Sequence, residues 1–297
     1  MKTIRKITVT ACCLAICLIL GGTAIAATLN VPGDYLTIGE AIDASLNGDI
    51  INVLPGSYPG NITVDKSVSI RGVQGAEVTF VTPSANQNGF QVIASDVTIS
   101  GFTISGATGF NWSGILIGGL FPGDDTHLGV TDVTVTKCIL EGNAAGVYIW
   151  KANNSMIVNN TVRNNASVPG NENAGNGIIV WEGPSLNTQI VNNEVYGNDK
   201  FGIFVGADAE RDFTGTKING NNLYQNGAYR WLGYTYPPGA NWLGMGFMNA
   251  LGSIKVSGNK ILATNGVDIW VFNAPGLRAV GNPIRNDLGP NIPMPTP

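Results

Sequence analysis

One block recurs along this chain at intervals of about two dozen residues, and the recurrence restricts the fold more than any other feature. Its first half reads apolar-x-x-Asn-x-apolar. Copies are Ile157-Val-Asn-Asn160-Thr-Val162, Ile190-Val-Asn-Asn193-Glu-Val195, Ile218-Asn-Gly-Asn221-Asn-Leu223, Val256-Ser-Gly-Asn259-Lys-Ile261 and Ala279-Val-Gly-Asn282-Pro-Ile284. Upstream copies, such as Val135 to Cys138, replace the Asn. The second half reads Gly-apolar-x-apolar, as in Gly89-Phe-Gln-Val92, Gly114-Ile-Leu-Ile117, Gly146-Val-Tyr-Ile149, Gly177-Ile-Ile-Val180, Gly202-Ile-Phe-Val205 and Gly266-Val-Asp-Ile269. The step from Cys138 to Asn160 is 22 residues and from Asn259 to Asn282 is 23. The steps of 33 and 38 elsewhere read as the same coil with loop insertions.

A coil of this length holds three short strands and three turns, each pairing with the next coil at about 4.8 Å. The pattern therefore predicts an all-β, single-stranded parallel β-helix over 27–288, with three short sheets. Asn160, Asn193, Asn221, Asn259 and Asn282 fall at one phase of five coils. Stacked there, they would hydrogen-bond along the axis as a structural ladder. Asn193, in mid-stack, is expected to matter more to stability than Asn198 or Asn171. At the N-terminal end, Thr37 to Leu46 has apolar positions 38, 41, 42 and 46 at helical spacing, opened by Thr37 with Glu40 three residues on. This predicts a short capping α-helix over 37–46. The tail 289–297 is Pro-rich and extended.

Residues 1–26 read as a secretory signal peptide: Lys2, Arg5 and Lys6, an apolar run, then a small-x-small site before Ala27. Cys12, Cys13 and Cys17 leave with it, so Cys138 is the sole mature cysteine and no internal disulfide forms. A monomer that is secreted, periplasmic or held at the cell surface is expected, without membrane insertion after cleavage. Loss of the three leader cations takes the formal net charge from −4 to −7. Nucleic acid and anionic membranes, which select basic faces, are not expected partners.

The segment Tyr35-Leu-Thr-Ile38, Ala41-Ile-Asp-Ala44, Gly48-Asp-Ile-Ile-Asn-Val53, Pro55-Gly-Ser-Tyr58 and Lys66-Ser-Val-Ser-Ile70 resembles the opening of pectin-lyase-like parallel β-helix proteins. The later repeats resemble those of the same superfamily. The resemblance implies the right-handed form of the helix. It is specific for fold and open for activity, since the superfamily holds lyases, hydrolases, esterases, epimerases and non-enzymatic surface proteins. The Asp pair and Gly-His-Gly of polygalacturonases are reduced here to Gly123-Asp124-Asp125 and the single His127. The motifs of pectin esterases and pectate lyases have no match.

Insertions at 105–113, 166–176 and 227–245 precede the Gly-apolar-x-apolar strand, and those at 118–131 and 206–216 follow it. They are expected to wall a groove whose floor is the outer face of that sheet, where the resembling enzymes bind substrate. Strand alternation puts Tyr148, Trp150, Trp181, Phe204 and Trp270 on that floor. Trp150, Trp181 and Trp270 are expected in one outward row, a surface suited to sugar rings. The same row is packing if the 227–245 loop folds over it. Lys151, Glu182, Asp208, Glu210 and Asp268 are the catalytic candidates. No cofactor is expected, and Asp208, Glu210 and Asp212 are the one place where oxygen ligands would hold Ca2+. Two functions follow: a non-enzymatic surface protein binding polysaccharide or surface glycan, and a polysaccharide lyase or glycoside hydrolase using the same groove. Asn61, Asn159 and Asn165 each open a glycosylation sequon.

Overall fold

The computed structural model describes residues 26–109, 112–120, 126, 129–166, 168, 174–227, 242–262 and 267–281. Residues 1–25 of the signal segment, residues 228–241 of the 227–245 insertion, Asn282, Asn171, the Pro-rich tail, Asp124, Asp125 and His127 lie outside the described residues, as does the side chain of Asp268.

The described chain winds into a parallel β-helix. Sheet A has ten strands, running from Thr28–Val31 and Ile50–Val53 to Ile254–Ser257 and Leu277–Val280. Sheet B has eight, from Gly56–Pro59 to Lys260–Leu262, and sheet C has eight, from Ile62–Val64 to Val267–Phe272. Each strand pairs in parallel with its counterpart on the next coil. Ile157 thus stands between Val135 and Ile190, and Val162 between Leu140 and Val195. Strands of three to five residues recur because each turn must bend the chain by about a third of a circuit before the next apolar pair. Every second residue points inward, so the interior is stacked rows of Ile, Val and Leu from all three sheets, nearly all fully buried.

The turn between sheets A and B carries a continuous amide column. Asn160 donates its side-chain amide to Val135 O and to Asn193 Oδ1, both at 3.0 Å. Asn193 repeats this toward Ile157 O and Asn221 Oδ1, and Asn221 toward Ile190 O and Asn259 Oδ1. The backbone N–H of Cys138 donates to Asn160 Oδ1 where the column begins. These buried amides are satisfied by one another and by backbone carbonyls of the sheet A strands.

A second column, at the turn between sheets B and C, corrects the expectation for Asn198. Asn143, Asn165, Asn198 and Asn226 stack in the same way, with Asn165 Nδ2 and Asn198 Nδ2 each 2.8 Å from the Oδ1 of the next Asn. Asn198 is fully buried, as is Asn165, so the Asn165 sequon lies inside the helix wall. The glycine that opens each sheet C strand has a packing reason. A Cβ on Gly177 would stand 2.6 Å from Gly202 O and 3.0 Å from Asn198 Nδ2.

Helix α1 (Ile38–Ala44) lies at the N-terminal end. Thr37 caps it, and the Glu40 side chain returns to the Thr37 N–H, closing a capping box. Ile38, Ala41 and Ile42 bury against the first strands of sheets A and C. Lys66 Nζ donates to the last-turn carbonyls of Ile42 and Asp43 and to Ser45 O. Among the described residues no helix is long and apolar enough to cross a membrane.

Candidate functional site

The outer face of sheet C is closed rather than open, which corrects the expected aromatic floor. Tyr148, Trp150, Trp181, Phe204 and Trp270 are at most 8% exposed and form a second apolar cluster with Leu116, Ile179, Phe201 and Met248. Trp181 and Phe204 meet with ring centroids 5.6 Å apart, as do Phe201 and Phe204 at 4.9 Å. Such a face excludes a sugar ring as it stands, because ring faces already touch other rings.

The three tryptophans also occupy two rows. Ile149 pairs with Val180, which sets Trp150 beside Trp181, and that row continues through Gly206, Met248 and Phe272. Trp270 pairs with Gly246 and so stands in the other outward row, with Phe204, Ile179 and Tyr148. The expected single row is a register slip of two residues, which keeps the face and changes the rung.

Polar atoms are sealed into this cluster. Tyr148 Oη and Trp150 Nε1 are buried and find no hydrogen-bond partner among the described residues. Burial, then the charges of Glu182 and Asp208, push the Tyr148 hydroxyl well above the usual tyrosine range, so it stays protonated.

The accessible chemistry lies along the edge of sheet C. Lys151, Glu182 and Asn273 each follow a sheet C strand, Asn249 lies within the strand Trp242–Leu251, and all four hold left-handed backbone angles, φ 47 to 63°. The segment expected as a loop at 206–216 is extended chain through Asp212, in the strand Ile203–Asp212, with a bulge between Gly206 and Arg211. That bulge turns its side chains onto the strip. Glu182 accepts the Asp208 N–H at 2.7 Å and pairs with Arg211 at 3.5 Å. Asn249 donates to Ala207 O and Asp208 O, and Asn273 donates to Glu210 Oε1 and Asn249 Oδ1, all at 3.1 Å. A polar strip therefore crosses four coils, from Glu182 to Asn273.

Of the catalytic candidates, Glu182, Asp208 and Glu210 come together in this strip, with Lys151 on the coil before. Asp212 is apart: its carboxylate accepts the Thr214 N–H and hydroxyl and serves the turn. Among the described residues no three His, Cys, Asp or Glu side chains group to hold a metal ion. Asn249 and Asn273 escaped the sequence reading. Their signal was position, the residue just after an outward aromatic or Met.

Sheet B carries a further network that the sequence reading missed. Arg163 binds Glu141 at 2.6 Å and the Tyr196 hydroxyl at 3.0 Å, Tyr196 stacks on Tyr224 at 4.7 Å, and Tyr224 donates to Glu194. Burial and the Glu194 bond push the Tyr224 hydroxyl up to about 12. These rings face each other along the helix axis, so each has one face covered by the other.

The family model for a right-handed beta helix region matches residues 66–236. The chain belongs to the right-handed β-helix family. Among solved structures, this β-helix is similar to the pectate lyase Pel9A, with a TM-score of 0.61 at 14% identity, covering 92% of this chain and 74% of that one. It is also similar to an alginate lyase from Paenibacillus sp. str. FPU-7, with a TM-score of 0.59 at 15% identity, covering 86% and 94%. Identities this low establish the fold alone. A cell surface glycoprotein of Methanothermus fervidus is 29% identical over 125 residues, which is 41% of this chain and 19% of that protein. The chain thus spans about a fifth of the length of that relative.

Proposed function

We propose that this β-helix is displayed outside the cell and binds surface glycan or polysaccharide along the polar strip beside sheet C, without cleaving it. The observation that carries the reading is the state of the strip's acids. Glu182 is held by Arg211 and by the Asp208 N–H, and Glu210 by Asn273. Carboxylates anchored in this way position a ligand's hydroxyls well and make poor proton shuttles. Amides and a guanidinium alternating with carboxylates along four coils offer both donors and acceptors, which is what a sugar's hydroxyls require. The leader at 1–26 and the cell surface glycoprotein relative support display outside the cell.

One observation favours a lyase or hydrolase instead: the protonated, partnerless Tyr148 hydroxyl near Glu182 and Asp208. Its burial weighs against this, since a general acid must reach the leaving oxygen. A glycan array with product analysis on the purified mature protein separates the readings. Retention of a glycan with no new reducing ends or unsaturated products is expected. Released fragments would establish catalysis, and no retention across the array would remove the binding reading.

A further inference from the structure

The outward positions of sheet A show a charge bias that the rest of the molecule does not share. Among the described residues they contain no Asp or Glu over ten strands, although the whole chain carries 20 acids against 16 bases. Their charges are Arg71 and, on three consecutive rungs, Lys217, Lys255 and Arg278. Register places Lys217 directly opposite Lys255, and Lys255 opposite Arg278. All three are exposed, and the residues between them, Ile218 and Val256, point into the core. The neighbouring rung toward the N-terminus is Gln189, an uncharged donor and acceptor. Asp212, the acid nearest Lys217 in sequence, is turned to the Thr214 N–H and hydroxyl.

Nothing in the fold requires this column. Like charges directly opposite in a sheet destabilise it, and a Gln, Thr or Ser at these positions would pair as well. The column is a row of cations repeating at the coil spacing of about 4.8 Å, flanked by hydroxyl and amide side chains such as Asn219 and Ser257. We propose that this face of sheet A is a binding surface for an anionic polysaccharide, laid along the helix axis with its carboxylates or sulfates over Lys217, Lys255 and Arg278. The described outward positions hold no aromatic side chain, so bases of a single-stranded nucleic acid have nothing to stack on. A uronate chain needs only charges and hydroxyl partners. The surface stands on a different sheet from the strip at Glu182 and Arg211, and does not depend on it.

The test compares the mature protein with the triple variant Lys217→Gln/Lys255→Gln/Arg278→Gln and with a charge-matched control, Lys137→Gln/Lys200→Gln/Lys260→Gln. Probes are polygalacturonate, neutral dextran and oligo(dT). Polygalacturonate should bind and dextran should not, and binding should fade between about 50 and 500 mM salt as the charges are screened. The triple variant should lose about tenfold in affinity, as expected of three exposed ion pairs, and the control should stay close to the parent. Removing the like-charge column should leave the melting temperature unchanged or higher, so a loss of binding cannot be blamed on unfolding. Lys255→Glu alone should also weaken binding while raising stability. Equal affinity in the triple variant, or equal losses in variant and control, overturns the surface. Oligo(dT) binding as tightly as polygalacturonate overturns its assignment to polysaccharide.

Discussion

Asn193 Oδ1 accepts both the backbone N–H and the side-chain amide of Asn160, each at 3.0 Å. One buried oxygen thus satisfies two donors of the coil before, while Asn193 donates its own N–H to Asn221 Oδ1 on the coil after and its side-chain amide to both Asn221 Oδ1 and Ile157 O. Removing this side chain leaves partners unsatisfied on both sides, which costs about 1–3 kcal/mol. The second column makes the same bonds at Asn198. Asn193→Ala and Asn198→Ala are therefore expected to lower stability by similar amounts, while Asn219→Ala, at an exposed site, stays within about 0.5 kcal/mol of the parent. Urea denaturation of the three variants checks this. An Asn198→Ala protein as stable as the parent would remove the second column from the account.

The first column was readable because its Asn recurs between two apolar residues at a fixed phase. The second is just as regular: positions 143, 165, 198 and 226 each lie five residues after 138, 160, 193 and 221. It was passed over because varied residues fill the gap and loops of different length follow it. The capping box was legible from Thr37 and Glu40 alone, since both bonds are local. The rung of Trp270 was not. Alternation reports which face a side chain takes, and a slip of two residues leaves the face unchanged. Only the pairing of Ile269 with Met245, past the irregularity between Trp242 and Met245, fixes the rung. Nor does alternation say whether an outward face is covered, which is why Trp150 and Trp181 read as a floor.

Trp181 belongs to a packed cluster, so its truncation acts on stability. Trp181→Ala is expected to cost about 3–5 kcal/mol, as aromatic truncations in cores do. Thermal and urea unfolding measure it. A loss below about 1 kcal/mol, the range of exposed sites, would mean that the face is open after all.

Cys138 gives a pH dependence with a definite sign. Full burial raises its thiol from 9.0 to about 11. The unfolded thiol releases its proton at lower pH than the folded one. The stability this group contributes is therefore present below pH 9 and lost as pH rises toward 11, at up to about 1.4 kcal/mol per unit. Comparing the pH slopes of the parent and Cys138→Ala isolates this from other alkaline titrations. The parent should fall more steeply across that window. Parallel slopes would show that the thiol is not shielded.

The strip beside sheet C makes the opposite prediction to Trp181. Glu182 and Arg211 form a single pair, with side chains 17% and 40% exposed, on the rim rather than in a core. Exposed or half-exposed pairs contribute about 0.2–1 kcal/mol, so Arg211→Ala should unfold close to the parent. The same change frees Glu182 from its cation and takes the guanidinium from the middle of the proposed binding line. Asn273→Ala removes the amide that ties Glu210 to Asn249 at the far end of that line. Both variants are expected to lose glycan retention while their melting temperatures stay near the parent's, whereas Trp181→Ala should lose stability first. Retention measured on the same array at a temperature well below every melt keeps folding out of the comparison. If Arg211→Ala and Asn273→Ala bind as the parent does, the strip is scaffold, and glycan bound by the parent must be held elsewhere.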